Sequence, residues 1–206
     1  MDTIPDFLRT WTSWGVTLGY FFAQGTIGVI LTWLPTHLTK VKHFSILNVG
    51  FVAAAPFVGA VLGNVLGGWL SDQVFRKRRK PTMMLSTIST VVMMYALIYA
   101  PNDPEALSVV LFLTGLFLSF GFSAFGIFPS TMTTKKAFPV AAAMINTGGQ
   151  IGTAVLPLAV GVILDQADWN AVFLFLSCCF LAGFVLLLTI VEPLAPNTAE
   201  EGATNG

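Results

Sequence analysis

The stretch Gly68-Trp69-Leu70-Ser71-Asp72-Gln73-Val74-Phe75-Arg76-Lys77-Arg78-Arg79 decides how the rest of the chain is read. An apolar run, residues 47–70, leads into it, and another, residues 82–100, leaves it. Each run is close to the roughly 20 residues that an α-helix needs to cross the hydrocarbon core of a bilayer. The short connection between them is densely cationic and ends on Lys80. Two long apolar segments joined by a basic loop predict two membrane-crossing helices whose turn stays in water beside lipid headgroups.

Working outward, four more runs repeat the pattern, at 14–34, 107–128, 140–164 and 169–191. The sequence therefore predicts an all-α membrane protein of six spans. Composition agrees, with 55% hydrophobic and only 10% charged residues and a mean hydropathy of +0.79. Soluble domains carry roughly a quarter charged residues, so water cannot be the main solvent for this surface. Barrel strands would alternate over segments about half as long, and the runs do not alternate. Pro35, Pro101, Pro104, Pro129, Pro139 and Pro193 mark helix ends, while Pro56 and Pro157 lie inside runs and predict kinks.

Threading follows from the basic residues. With both termini cytoplasmic, the inner side receives Arg9, Arg76, Lys77, Arg78, Arg79, Lys80, Lys135 and Lys136, and the outer side only Lys40 and Lys42. Residues 1–13 carry Asp2, Asp6 and Arg9 with no early apolar core, so they are read as a cytoplasmic linker remnant rather than a secretory signal. Residues 14–193 form the bundle, and 194–206 a disordered cytoplasmic tail. Cys178 and Cys179 are adjacent in an apolar run and suit packing or lipid contact rather than a disulfide framework.

Asp72 at a helix end, followed by Arg76 and Arg79, predicts a salt-bridge cluster that closes one face and breaks when helices rock apart. The alternative is that 76–80 is only a topology anchor drawn to anionic headgroups. Small residues at four-residue spacing predict close helix contact in lipid: Gly59, Gly63 and Gly67 in the second run, Gly148 and Gly152 in the fifth, Gly115, Ser119 and Ser123 in the fourth.

The segment from Gly68 to Arg79 resembles the Gly-x-x-x-Asp loop motif of the major facilitator superfamily, in the copy that joins helices eight and nine. Phe75 replaces the usual glycine. Trp33-Leu34-Pro35-Thr36 and the stretch 146–161 resemble the anion:cation symporter branch, which carries organic acids such as sugar acids. The resemblance implies the carboxyl-terminal six-helix half of a twelve-helix carrier, itself a 3+3 inverted repeat. Gly68-x-x-x-Asp72 and Gly161-x-x-x-Asp165, at the ends of the second and fifth runs, fit such a repeat.

Polar residues at membrane depth are the best pointers to a substrate path, because hydrocarbon penalises them. Tyr20 and Gln24 share a face of the first run, Asn146 and Gln150 of the fifth, and Ser119 and Ser123 of the fourth. By resemblance these runs are superfamily helices seven, eleven and ten, and Asn146 stands where sugar-acid carriers place a substrate-contacting asparagine. Each of these groups could equally bond a neighbouring helix. No Asp, Glu, Lys, Arg or His lies deep in any run. Either coupling to a cation, a proton by resemblance, uses groups in an amino-terminal half, or the protein does not couple to protons. His37 and His43 are expected in a solvated outer loop.

Spaced metal ligands, a phosphate-cradling loop and a nucleophile–base pair are all missing from the sequence, so no enzyme, metal site or cofactor is predicted. The basic run is short and lacks interleaved aromatics, which speaks against nucleic acid. The partners expected are a small organic anion, a coupling cation, the other half and the lipid of a plasma membrane (the inner membrane if bacterial). The competing reading is a truncated or split-gene membrane module without transport of its own, and a third is a homodimer of this half.

Overall fold

A computed structural model describes residues 9–76, 78–134 and 136–192 of the chain. Among them seven helices make six spans. They are α1 (Trp11–Lys40), α2 (Ile46–Trp69), α3 (Lys80–Ile98), α4 (Pro104–Ser119), α5 (Phe122–Met132), α6 (Phe138–Gln166) and α7 (Trp169–Thr189). The predicted tail at 194–206 lies outside the described residues, as does most of the predicted linker.

Two boundaries differ from the sequence expectation. Pro35 does not end α1, which continues to Lys40, and Pro129 lies inside α5 near its end. The fourth run is not one helix. It divides at Phe120 and Gly121 into α4 and α5. At this break Ser86 of α3 donates its hydroxyl proton to the carbonyls of Phe117 (2.8 Å) and Leu118 (3.0 Å). A broken helix survives at membrane depth only where its freed backbone groups find such partners.

Helix starts on one side of the bundle are capped locally. Ser45, Asp103 and Asp168 accept from the backbone N–H groups of Asn48, Ala106 and Ala171, three residues on, satisfying donors that a helix leaves unpaired. On the other side, where the basic connections 70–79 and 133–137 lie, neither α3 nor α6 has a side-chain cap from its own N-cap residue.

The dominant pairings are α1 with α6, α2 with α4, and α3 with α7, followed by α1 with α7 and α3 with α4. Numbering the spans one to six, these are 1–5, 2–4, 3–6, 1–6 and 3–4. Exchanging spans 1, 2, 3 with 4, 5, 6 converts 1–5 into 4–2 and 1–6 into 4–3, and leaves 3–6 unchanged. The packing therefore has the internal two-fold that an inverted repeat of three plus three produces.

Both long seams are built on glycine. A Cβ on Gly59, Gly63 or Gly67 would collide with the backbone carbonyls of Phe112, Leu116 and Phe120, and one on Gly115 with that of Pro56. On the related seam, a Cβ on Gly152 would strike the carbonyl of Phe21. Backbones that touch in this way gain van der Waals contact, which is what holds helices together where no hydrophobic force operates between them. Apolar side chains fill the two ends of the bundle, around Phe125, Phe128 and Phe180 near the basic connections and around Leu38, Leu107 and Val172 opposite. The outer face of α2, with Phe51, Val61, Val65 and Trp69, is exposed, as lipid-facing surface should be.

Candidate functional site

Tyr20 of α1 and Asn146 of α6 line one depression of about 160 Å³, walled by Phe125 and Pro129 of α5 and by Ile145. Their convergence follows from the glycine seam. A Cβ on Gly149 would lie 2.6 Å from the Tyr20 ring and 3.3 Å from Cβ of Gln24, so the bare Gly149 lets both side chains lie against α6. The Tyr20 ring is held edge-on by Phe122 and tilted against Phe125, at centroid distances of 5.7 and 5.4 Å. Asn146 is exposed on the open side. A phenol and an amide then present two hydrogen-bonding groups at the mouth of an aromatic-walled pocket, the usual make-up of a small-molecule site.

The remaining polar candidates divide. Gln24 sits one turn from Tyr20, with a buried Oε1 that has no hydrogen-bond partner. Gln150 is exposed one turn beyond Asn146. Ser119 is buried, and the Ser123 hydroxyl lies on the α2 side, 3.8 Å from where a Cβ of Gly68 would be, also without a partner. Ser123 thus belongs to the α2–α5 contact, and neither serine lines the Tyr20–Asn146 depression.

A second constellation closes the basic end. The turn Leu70–Val74 is a π-helix, with Phe75 N–H donating to Leu70 O at 3.0 Å. Arg79 is buried and its Nη1 donates to Asp72 (2.6 Å) and to Ser71 Oγ (2.8 Å). Arg76 is exposed and makes no ion pair with Asp72. Of the two arginines expected beside Asp72, the structure pairs one. Phe75 has φ −88° and Arg76 takes the left-handed conformation at φ 50°, so the special backbone angle falls one residue after the position where the motif usually has glycine.

Glu192, just past α7, was not singled out by sequence. Its carboxylate accepts the backbone N–H groups of Arg79 and of Lys80 (3.1 Å for the latter), capping α3. Lys80 returns the contact, Nζ donating to the carbonyls of Leu188 (3.0 Å) and Ile190 (2.7 Å) at the end of α7. Anion at a helix start and cation at a helix end both complement the backbone dipole.

A family profile described as Major Facilitator Superfamily matches residues 16–205. The chain belongs to the major facilitator superfamily. Similar curated proteins are the probable galactarate/D-glucarate transporter GudP of Bacillus subtilis (strain 168), 29% identical over 86% of this chain and 38% of the relative, and the D-galactonate transporter of Escherichia coli O6:H1, 28% identical over 86% of this chain and 42% of the relative. The fold matches a crystal structure of a D-xylose-proton symporter with TM-score 0.74 and 14% identity, over 95% of this chain and 51% of that one. This superfamily chain thus spans about two fifths of those curated relatives and half of the symporter fold. It is a multi-pass membrane protein, akin to transporters and not to enzymes.

The far end of the superfamily bundle corrects one expectation. His37 is not in a solvated loop. It is 7% exposed, with its ring 4.4 Å from that of Trp169 and 5.6 Å from that of Phe173. The cause is the continuation of α1 past Pro35, which carries His37 over the start of α7. Lys42 lies just beyond. Its Nζ donates to Ala100 O (3.0 Å) and Asn102 Oδ1 (2.7 Å), tying two connections together, and partial burial lowers its pKa below the ordinary lysine range.

Proposed function

We propose that this chain is the carboxyl-terminal half of a secondary active transporter that moves a small organic anion, such as a sugar acid or other carboxylate, by alternating access. The observation that carries the reading is the meeting of Tyr20 and Asn146 from two spans on one aromatic-walled depression. Tyr20, Gln24 and Asn146 hydrogen-bond the hydroxyls or carboxylate of the substrate, with Gln150 at the margin. Coupling to a cation, a proton in this reading, runs through an amino-terminal half, because among the described residues no Asp, Glu, Lys, Arg or His lines that depression. The names of the curated relatives supply the substrate class.

In this reading the basic connections are cytoplasmic, both termini are inside and the membrane is the plasma membrane, in keeping with the excess of Lys and Arg on that side. Asp72 and Arg79 latch the cytoplasmic face, with Gly68 one turn before Asp72 and Arg76 outside the latch. Transport is tested by uptake of labelled D-galactonate and D-glucarate in cells that express the chain together with its amino-terminal half. Asn146→Ala should cut uptake at least tenfold, the order expected for losing one well-placed hydrogen bond, with membrane insertion intact. Unchanged kinetics remove Asn146 from the site, and no uptake by the wild type leaves a non-transporting membrane module.

A further inference from the structure

Five cations follow one another from Arg76 to Lys80, and those the structure describes are not equivalent. Arg79 is consumed by Asp72 and Ser71, and Lys80 by the carbonyls at the end of α7. Arg76 and Arg78 are exposed, and among the described residues their guanidinium groups have no carboxylate, carbonyl or hydroxyl partner. Both instead line one open depression of about 430 Å³, whose other walls are Val74, Phe75 and Pro81. Among the described residues no acidic side chain lines it. The left-handed φ of 50° at Arg76 marks a backbone conformation that side-chain-bearing residues seldom adopt.

Position gives these features their meaning. The depression lies between the end of the second span and the start of the third, where the chain leaves hydrocarbon for water. Trp69, an exposed aromatic one turn before the loop, is the residue type that settles at that interface. We propose that this depression is a binding site for the phosphate headgroup of an anionic phospholipid, with Arg76 and Arg78 on the phosphate and Val74, Phe75 and Pro81 against the glycerol and upper acyl carbons. Planar guanidinium groups bind phosphate through paired N–H donors. The apolar wall favours a lipid over free phosphate, since free phosphate gains nothing from Val74, Phe75 or Pro81. This site is separate from the Tyr20–Asn146 depression and does not depend on transport or on which face is cytoplasmic.

The test is native mass spectrometry of the full chain in detergent, titrated with phosphatidylglycerol and with phosphatidylcholine of the same acyl chains. The wild type should prefer phosphatidylglycerol by about 30-fold, the product of two basic side chains at an anionic lipid surface. Arg76→Asn with Arg78→Gln should remove that preference. Asparagine tolerates the left-handed backbone, so the turn keeps its shape while the charge goes. Lys40→Gln, which removes an exposed cation from the opposite end, should leave the preference unchanged. A preference retained by the double variant, or one lost with Lys40→Gln, overturns the site. Inorganic phosphate that displaces phosphatidylglycerol at equal concentration shows a free-anion site and overturns the lipid assignment. Should the double variant fold poorly, a phosphatidylglycerol carrying a photoreactive acyl chain reports on the wild type alone. Crosslinks must concentrate in residues 69–81, and crosslinks confined to other spans refute the proposal.

Discussion

The seam between α2 and α4 and the seam between α1 and α6 are related by the internal two-fold, and they solve the same packing problem with the same means. In both, glycine on one helix meets backbone carbonyl on the other. What differs is what lies beside the glycines. Along α2 the exposed neighbouring side chains are mostly apolar, Phe51, Val58, Val61 and Val65, with the polar Asn64 among them. Along α1 and α6 they are Tyr20, Gln24, Asn146 and Gln150. A repeat can thus keep its packing in both copies and gather a polar-lined depression in only one. Contact between backbones, which any side-chain pattern tolerates, is what frees the flanks to diverge.

Seam substitutions break the comparison most severely. Gly63→Leu should cost more than about 3 kcal/mol, above the ordinary range for overpacking, because a backbone carbonyl and not a movable side chain occupies the space. Loss of the monodisperse peak in detergent chromatography would show it. Gly152→Leu should match it on the other seam, whereas Gly126→Ala, which meets nothing within 4 Å, should leave the melting temperature within a degree or two, roughly what surface changes give. Tolerance of Gly63→Leu would end the view of the seams as backbone contacts.

Next in size is the closure of the basic end. Asp72→Asn should destabilise by about 1.5 kcal/mol, the low end for a charge-assisted hydrogen bond because Asp72 is half exposed, while Arg76→Gln should change stability by less than about 0.5 kcal/mol. Thermal melts that rank the two the other way would make Arg76 the true partner. Comparing Asn146→Ala with Val61→Ala sharpens the contrast between seams, since only the first should affect uptake. Smallest is the effect of pH through Lys42. Its folded pKa lies below 10.5 because burial disfavours the ammonium, so the neutral form is favoured by folding. The contribution is present above the unfolded pKa of 10.5 and is lost as pH falls through the lower folded value. Lys42→Met should abolish that slope in melts taken from pH 9 to 11, and an unchanged slope would assign it to other groups.

Lipid made most of the fold legible. Six runs of the right length could hardly be anything but spans, and the glycine spacing foretold which helices would touch closely. The break at Phe120 and Gly121 was hidden because the residues across it are as apolar as their neighbours, and its cause is a hydroxyl on another helix, Ser86. His37 was misread because a proline suggested an end where α7 instead supports the helix. Tyr20 and Asn146 were legible as polar groups in apolar runs, yet nothing in their spacing separates them from Ser123, which faces elsewhere. The choice of Arg79 over Arg76 depends on the π turn, and Glu192 acts on residues 112 and 113 positions away. Local pattern cannot reveal either.

The bond between Glu192 and the start of α3 has a bearing on biosynthesis. The third span is inserted long before residue 192 leaves the ribosome, so its first turn must wait with open N–H groups until the last span arrives. A nascent chain halted before that carboxylate should have a protease-sensitive segment near position 79, and release of a few more codons should seal it.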